Sequence, residues 1–325
     1  MATKERLLAL LEAHKGEYLS GEELAGHLNI SRTAVWKAVK SLRSAGYEIQ
    51  AAQNRGYCLN ACTDVLSVQG IRNFLEPEAQ GCRLELVSCT ASTNVLARQR
   101  AADGAAEGLV ILANQQTKGR GRLGREFYSP PDTGLYMSIL LRPRAMPPGQ
   151  AVQITTMAAA AACLAIDAQS HRQPQIKWVN DILLGGKKVC GILTEGSFDL
   201  ETGSLDDVVL GIGFNVYPPA GGFPEELAGI AGSILYEQTE AGKNRLAAAF
   251  LNHFFRIYHS PSPADYVHIY RERSMVIGRQ VRVVTAEAER DAYVLDIDRD
   301  CRLIVRYSDG SIDQLSSAQI SIRTE

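Results

Sequence analysis

Ten residues, Gln116 to Arg125, hold four cations (Lys118, Arg120, Arg122, Arg125) and three glycines (Gly119, Gly121, Gly124). Glycines bring backbone N–H groups close to a ligand, and guanidinium groups grip carboxylate or phosphate oxygens at two points. The stretch therefore predicts a loop that orders over an anion, although a basic turn facing only water has the same composition. Its glycines also fit the G-x-G-x-x-G dinucleotide fingerprint, which requires the third glycine to open a helix. Phe127-Tyr128-Ser129-Pro130-Pro131 cannot continue such a helix, which excludes that reading.

Three further clusters carry groups suited to an anionic, hydrogen-bonding ligand. Ser92-Thr93-Asn94 offers two hydroxyls and an amide at a helix start, or simply caps that helix. Lys177-Trp178-Val179-Asn180-Asp181 places a base, an amide and an acid around a short strand, or makes a local salt bridge. Gly211-Ile212-Gly213-Phe214-Asn215 puts two glycines and an amide at a strand end, where a ligand could approach closely. No G-x-x-x-x-G-K-[ST] is present, so ATP chemistry here is not of the P-loop kind.

The elements that hold these clusters read as strands at Arg83–Ser88, Gly108–Ala113, Gly134–Arg142, Ile176–Trp178, Asp181–Leu184, Val189–Ser197 and Asp207–Phe214. Helices are expected from Ser92 to about Ala102, Gln150 to Gln169, Lys243 to His259 and Pro263 to Glu272, and Gly185-Gly186 as a hairpin turn. Residues 217–233, rich in Pro, Gly and Ala, predict a second mobile loop. The pattern is α/β (α+β) with a mixed sheet.

Ahead of it, Arg6–Ala13, Gly21–Leu28 and Ser31–Ala45 read as helices, with Ser20 and Glu23 in capping-box positions. Val35, Ala38, Val39 and Leu42 form the apolar stripe of the third, leaving Arg32, Thr33, Trp36, Lys37 and Lys40 outward. Tyr47–Leu59 is a hairpin with Arg55 at its tip, so residues 1–62 make a winged helix-turn-helix that binds DNA or, alternatively, a helical interaction module. Asn60–Ser67 reads as a linker into a domain over 63–274. From Val276 short alternating strands (Gln280–Thr285, Asp291–Ile297, Arg302–Tyr307, Gln319–Ile322) predict a small SH3-like barrel over 275–325.

Across 325 residues the chain is 46% hydrophobic and 22% charged, with net charge −2, so any nucleic-acid contact must come from a local patch. Seven cysteines without a C-x-x-C pair suit a reducing cytoplasm and argue against a disulfide framework or zinc ribbon. Six histidines show no metal-ligand spacing. Charges at Lys4-Glu5-Arg6 predict no signal peptide, and the apolar run at Met157–Ile166 reads as too short to span a bilayer.

In order and spacing, Ser92-Thr93-Asn94, Gln116 with Gly119–Arg125, Lys177–Asp181, Lys188-Val189-Cys190-Gly191-Ile192-Leu193 and Gly211–Asn215 resemble the biotin–protein ligases. The preceding winged helix is similar to that of the bifunctional branch, the biotin operon repressors. Two positions depart from the family: it usually carries proline where Val179 stands and tryptophan where Phe127 stands, the latter bearing on pocket shape.

The resemblance implies a ligase domain related to class II aminoacyl-tRNA synthetase-like folds, with biotin and ATP as substrates and Mg²⁺ accompanying ATP. Biotin's carboxylate would attack the α-phosphate to give biotinyl-5′-adenylate. A lysine of a biotin carboxyl carrier protein would then take the biotinyl group. By the same resemblance Ser92, Thr93, Asn94, Gln116, Gly119, Arg120, Gly121, Arg122, Lys188, Gly211 and Gly213 would bind biotin. Arg122, Arg125, Lys177, Asn180 and Asn215 would face the nucleotide, and Asp181 the metal. Lys188, Arg122 and Arg125 would stabilise the transferring charge. The 217–233 loop would cover adenine, and the C-terminal barrel would either be a structural cap on the middle domain or, with Arg323 contributing, help to bind ATP and the carrier. The adenylate would order the basic loop and favour a homodimer that presents two heads to operator DNA. A ligand-responsive repressor without ligase activity, and a lipoate or octanoate ligase on the same fold, remain as other readings.

Overall fold

The computed structural model describes residues 3–143, 146–147, 151–198, 205–260, 262, 264–285, 288–316 and 321–324. The turn expected over Pro143–Gly149 and the helix start at Gln150 fall partly outside them. The chain divides into two compact units, one of residues 1–76 with 237–248, the other of 77–236 with 249–325.

In the first unit α1 (Thr3–Ala13), α2 (Gly21–Leu28) and α3 (Arg32–Ser44) precede a hairpin of β1 (Ile49–Ala52) and β2 (Gly56–Leu59). The capping box is present: the Ser20 hydroxyl accepts from Glu23 N, and the Glu23 carboxylate from Ser20 N. Asn29 in the left-handed region ends α2, and the Ser31 hydroxyl caps α3. Leu7, Leu11, Leu24, Val35, Leu42 and Leu59 are buried together as the core of this unit. Leu19 pairs with Tyr57 alongside the hairpin. Gly56 makes that possible: it sits at φ 102°, and a Cβ there would meet Leu19 O at 2.1 Å.

The expected linker at Asn60–Ser67 is instead built into this unit. Thr63, Asp64, Leu66 and Ser67 are buried. Asp64 Oδ1 accepts from Lys243 N (2.9 Å), Asn244 Oδ1 accepts from Ser67 N (2.9 Å), and Asn244 Nδ2 donates to Val65 O (2.9 Å). Ser67 also caps α4 (Val68–Arg72), a helix without an evident sequence signal.

The second unit opens with the short α5 (Pro77–Gln80), β3 (Arg83–Val87), α6 (Thr93–Ala102), β4 (Leu109–Ala113) and β5 (Gly134–Leu141). After α7 (Ala151–Ser170) come β6 (Gln175–Lys177), β7 (Asp181–Leu184), β8 (Lys187–Phe198) and β9 (Leu205–Asn215). The sheet runs β3-β4-β5-β9-β8-β7-β6, parallel only between β3 and β4. β4 and β5 are buried on both faces, as their unbroken apolar runs require.

α7 is, by length and composition, apolar enough to cross a membrane, longer than the run read from the sequence, but 72% of it is buried inside the protein. The 217–233 loop contains the short α8 (Glu225–Ala228), and its end is pinned by Lys188 N→Ile230 O (2.8 Å) and Gly232 N→Lys188 O (2.9 Å). α9 (Gly242–Tyr258), whose residues up to Ala248 belong to the first unit, and α10 (Ala264–Glu272) follow.

The last strands, β10 (Gln280–Val284), β11 (Glu289–Ile297), β12 (Leu303–Tyr307), β13 (Ile312–Leu315) and β14 (Ser321–Thr324), form an antiparallel sheet ordered β13-β12-β11-β10-β14. It joins the seven-stranded sheet through Trp178 Nε1→Cys301 O (3.1 Å), while Tyr270 donates to Val179 O (3.0 Å) beside the cis Trp178–Val179 peptide. Arg323 pairs by its backbone with Arg282; its side chain is outside the described residues.

Candidate active site

One cleft gathers groups from all five sequence clusters at the centre of the mixed sheet. Its lining includes Ser92, Thr93, Asn94, Gln116, Arg120, Gly121, Arg122, Phe127, Asn180, Lys188, Gly211 and Gly213. The N-terminus of α6 supplies the hydroxyls, and the pairing of β5, β9 and β8 supplies the floor. No Ser92 side-chain bond caps α6, so capping does not account for that hydroxyl.

Gln116 is oriented from both ends. Its Oε1 accepts from Thr93 N (2.8 Å) and Thr93 Oγ1 (3.2 Å), and its Nε2 donates to Ser129 Oγ (3.0 Å). An amide fixed in this way presents a donor and an acceptor in a set direction. Ser138, wholly buried on β5, lies 2.7 Å from Thr93 Oγ1 and 2.6 Å from Asn94 Oδ1. The two glycines of β9 are sites of close approach: a Cβ at Gly211 would stand 2.0 Å from Asn94 Oδ1, and one at Gly213 2.5 Å from the Phe127 ring. Phe127, held edge-on to Tyr136 with centroids 6.4 Å apart, thereby forms a wall.

The cations lie along the opposite rim. Lys188 Nζ is 2.6 Å from Asp181 Oδ1 and 5.9 Å from the Phe127 centroid. Arg122 donates to Asn180 Oδ1 (3.2 Å), and Asn180 Nδ2 donates onward to Ile192 O (2.8 Å). Burial weakens the Arg122 guanidinium's hold on its proton, and the nearby Asp181 charge partly restores it. The basic loop is closed on itself by Gly121 N→Arg125 O (2.7 Å) and Phe127 N→Gly119 O (3.0 Å). Leu123 at its tip is in the left-handed region (φ 56°) and exposed.

Other expected residues lie outside the cleft. Arg125 is exposed, and Gly119 is buried against Phe127 O and Ser129 Oγ. Lys177 sits opposite Asp181 in the β6–β7 register, and Asn215 Nδ2 reaches Lys188 O (3.4 Å). Asp181 is occupied by Lys188, and no group of three His, Cys, Asp or Glu residues suited to a metal occurs among the described residues. Sequence reasoning missed Ser129, Ser138 and Glu195. Ser138 had a signal: a serine within the otherwise apolar run Met137–Leu141 must be hydrogen-bonded once buried.

The head presents a second functional surface. Arg32, Thr33, Trp36, Lys37 and Lys40 are all exposed on α3, with Lys40 Nζ 5.5 Å from the Trp36 ring centroid. At the wing tip Arg55 stacks on Tyr18 at 4.2 Å, and Tyr18 donates to Gln50 (2.9 Å).

Models of known families match along the chain: an HTH domain over residues 3–58, the biotin/lipoate A/B protein ligase family over 86–215, and the biotin protein ligase C-terminal domain over 276–323. The bifunctional ligase/repressor BirA of Bacillus spizizenii is 33% identical over 98% of this chain and 98% of its own. This chain belongs to the bifunctional ligase/repressor family. The Escherichia coli member is 27% identical over 98% of this chain and 97% of its own. Biotin protein ligase from Aquifex aeolicus, solved with biotin and ATP, shares the fold: TM-score 0.61, 23% identity, 75% of this chain and 99% of that one. As a family member the chain combines a DNA-binding repressor head with a biotin ligase body, so the winged helix is not merely an interaction module.

Proposed function

We propose that the chain condenses biotin with ATP to biotinyl-5′-adenylate, transfers the biotinyl group to a lysine of a biotin carboxyl carrier protein, and represses biotin genes in response to that ligand. The functional division runs 1–62 for the head, 63–274 for the ligase body and 275–325 for the C-terminal domain. The observation that carries this reading is the doubly held Gln116 amide facing a glycine floor, with Lys188 and Arg122 across the cleft.

Each group has a task. Biotin's ureido ring needs buried donors and acceptors, which Thr93, Asn94 and Gln116 supply; Ser92 and the bare floor at Gly211 and Gly213 admit the bicycle. Carboxylate and α-phosphate repel each other, so their approach calls for fixed cations rather than an enzyme nucleophile. Lys188 stabilises charge on the oxygens that meet, and Arg122, held by Asn180, lies over the adenylate and excludes water that would hydrolyse the anhydride. Lys177 and Asn215 lie towards the nucleotide side. Arg125 contributes through its carbonyl, which closes the loop.

Mg²⁺ enters with ATP: a single carboxylate already paired with lysine suits an ion carried largely by phosphate oxygens and water, with Asp181 as its one protein-side partner. The protein acts in the cytoplasm, where its carrier and operator are.

Incubation of the full chain with biotin, ATP, Mg²⁺ and a carrier domain should add one biotinyl mass to the carrier. No mass shift, together with no biotin-dependent pyrophosphate–ATP exchange, would leave only the repressor reading. Exchange with lipoate instead of biotin would point to the lipoyl branch, whose substrate has no ureido group for Gln116.

A further inference from the structure

Glu195 lies on β8 beyond the residues to which a role has been given, and its carboxylate is the most heavily used near the cleft. It takes Arg120 Nη1 at 3.2 Å, Arg98 Nη2 at 3.1 Å and Asn94 Nδ2 at 2.8 Å. Its side chain is only 13% exposed, whereas the two arginines are about half exposed. One partly buried carboxylate thus joins the basic loop, helix α6 and the amide that stands over Gly211.

We propose that Glu195 is a positioning residue that tethers the glycine–arginine loop to the floor of the biotin pocket and sets how long the adenylate is retained. The charge count supports this. Arg120 pairs with Glu195 and so serves the loop as an anchor, whereas Arg122 donates to a neutral amide, Asn180, and lines the cleft together with Lys188. A partly buried ion pair that also accepts an amide hydrogen bond resists exchange with water better than an exposed pair does. Backbone bonds close the loop's tip around a strained, exposed Leu123, and side-chain contacts such as Arg122 to Asn180 and Arg120 to Glu195 tie that tip to the body. Asn94 shares the carboxylate and the Ser138 hydroxyl, so the tether and the pocket floor move together.

This inference rests on the ligase reading, and the test separates the two. Full-length protein is loaded with biotinyl-adenylate from labelled biotin, ATP and Mg²⁺ without carrier. It is then chased with excess unlabelled biotin, and the loss of bound label is followed. Glu195→Gln keeps an acceptor for Asn94 but removes the charge that holds Arg120. It should lose adenylate roughly three- to tenfold faster, with KM for biotin within about twofold of the parent. Arg120→Ala should leak to the same degree, and the double variant no more than either single one, as expected for two halves of one contact.

Retention by Glu195→Gln equal to the parent, or independent multiplication of the two effects, would overturn the tether. So would equal damage to KM and turnover, which marks a general structural role. A parent chain that never forms adenylate refutes the ligase reading itself.

Discussion

Lys188 is held through both side chain and backbone: its ammonium pairs with Asp181, its N–H with Ile230 O, and its carbonyl with Gly232 N and Asn215 Nδ2. The backbone pairs keep β8 and the 217–233 loop in register whatever the side chain, so the ammonium can be removed without unfolding the strand. Lys188→Ala should therefore lower biotin-dependent pyrophosphate–ATP exchange by about 10²-fold or more, the usual scale for losing a charge-stabilising group, with an unchanged far-UV spectrum. Retained exchange would remove Lys188 from the chemistry. At this scale the sequence was informative wherever a residue type is unusual in its setting. Clustered arginines and glycines are conspicuous, as is an amide after an apolar strand. Glu195 was not legible, because a single acid in Leu193-Thr194-Glu195-Gly196 looks like any solvent-facing strand position. Its partners come from two distant segments that only the folded sheet brings to it.

At the scale of elements, local periodicity and caps served well where the signal is local. The observed α6, β7 and α3 lie within a residue or so of their expected bounds, because Ser92, Gly185-Gly186 and Ser31 mark their ends. β13 was missed since Ile312-Asp313-Gln314-Leu315 buries only its last residue, leaving no alternation to read. The 60–67 stretch was misread as a linker because its partners, Lys243 and Asn244, are remote in sequence.

Two predictions belong here. Gly56→Ala forces a Cβ into Leu19 O at a backbone angle that favours glycine, so the wing must part from the strand beside it. A loss of about 1–3 kcal/mol is expected in the melting of the head, with weaker operator binding and intact adenylate synthesis. Glu12, buried in α1, has its carboxyl pushed above the ordinary 4.5 by burial, with Lys15 only partly offsetting it. The folded head then holds the proton to a higher pH than the unfolded chain. Glu12's contribution to stability is thus fully present below about pH 4.5 and is lost as pH rises through the raised value. Glu12→Gln should flatten that slope, matching the parent near pH 4 and exceeding it at pH 7 in thermal melts.

For the whole molecule, the association of a DNA-reading head with a ligase body implies a choice between two partners. The exposed basic face of α3 and the Arg55 tip offer too few cations to a phosphate backbone for tight binding by a single copy. Operator affinity should then rise with self-association, and both should respond to biotin plus ATP. Sedimentation and gel-shift titrations with and without the two substrates test this. If mass and operator affinity are indifferent to them, the link between ligase and repressor fails.

The hydrogen bond between Asp64 and Lys243 spans 179 residues of chain. The head's own core, drawn from residues 7–59, is contiguous and can close soon after it leaves the ribosome. The strap behind it cannot, because its acceptors wait for amides that have yet to be translated. At ordinary synthesis rates, roughly 5–20 residues per second, that delay is roughly ten to forty seconds. Nascent or prematurely terminated chains would thus carry a closed head on an open strap, and protease cleavage between residues 60 and 76 would be their signature.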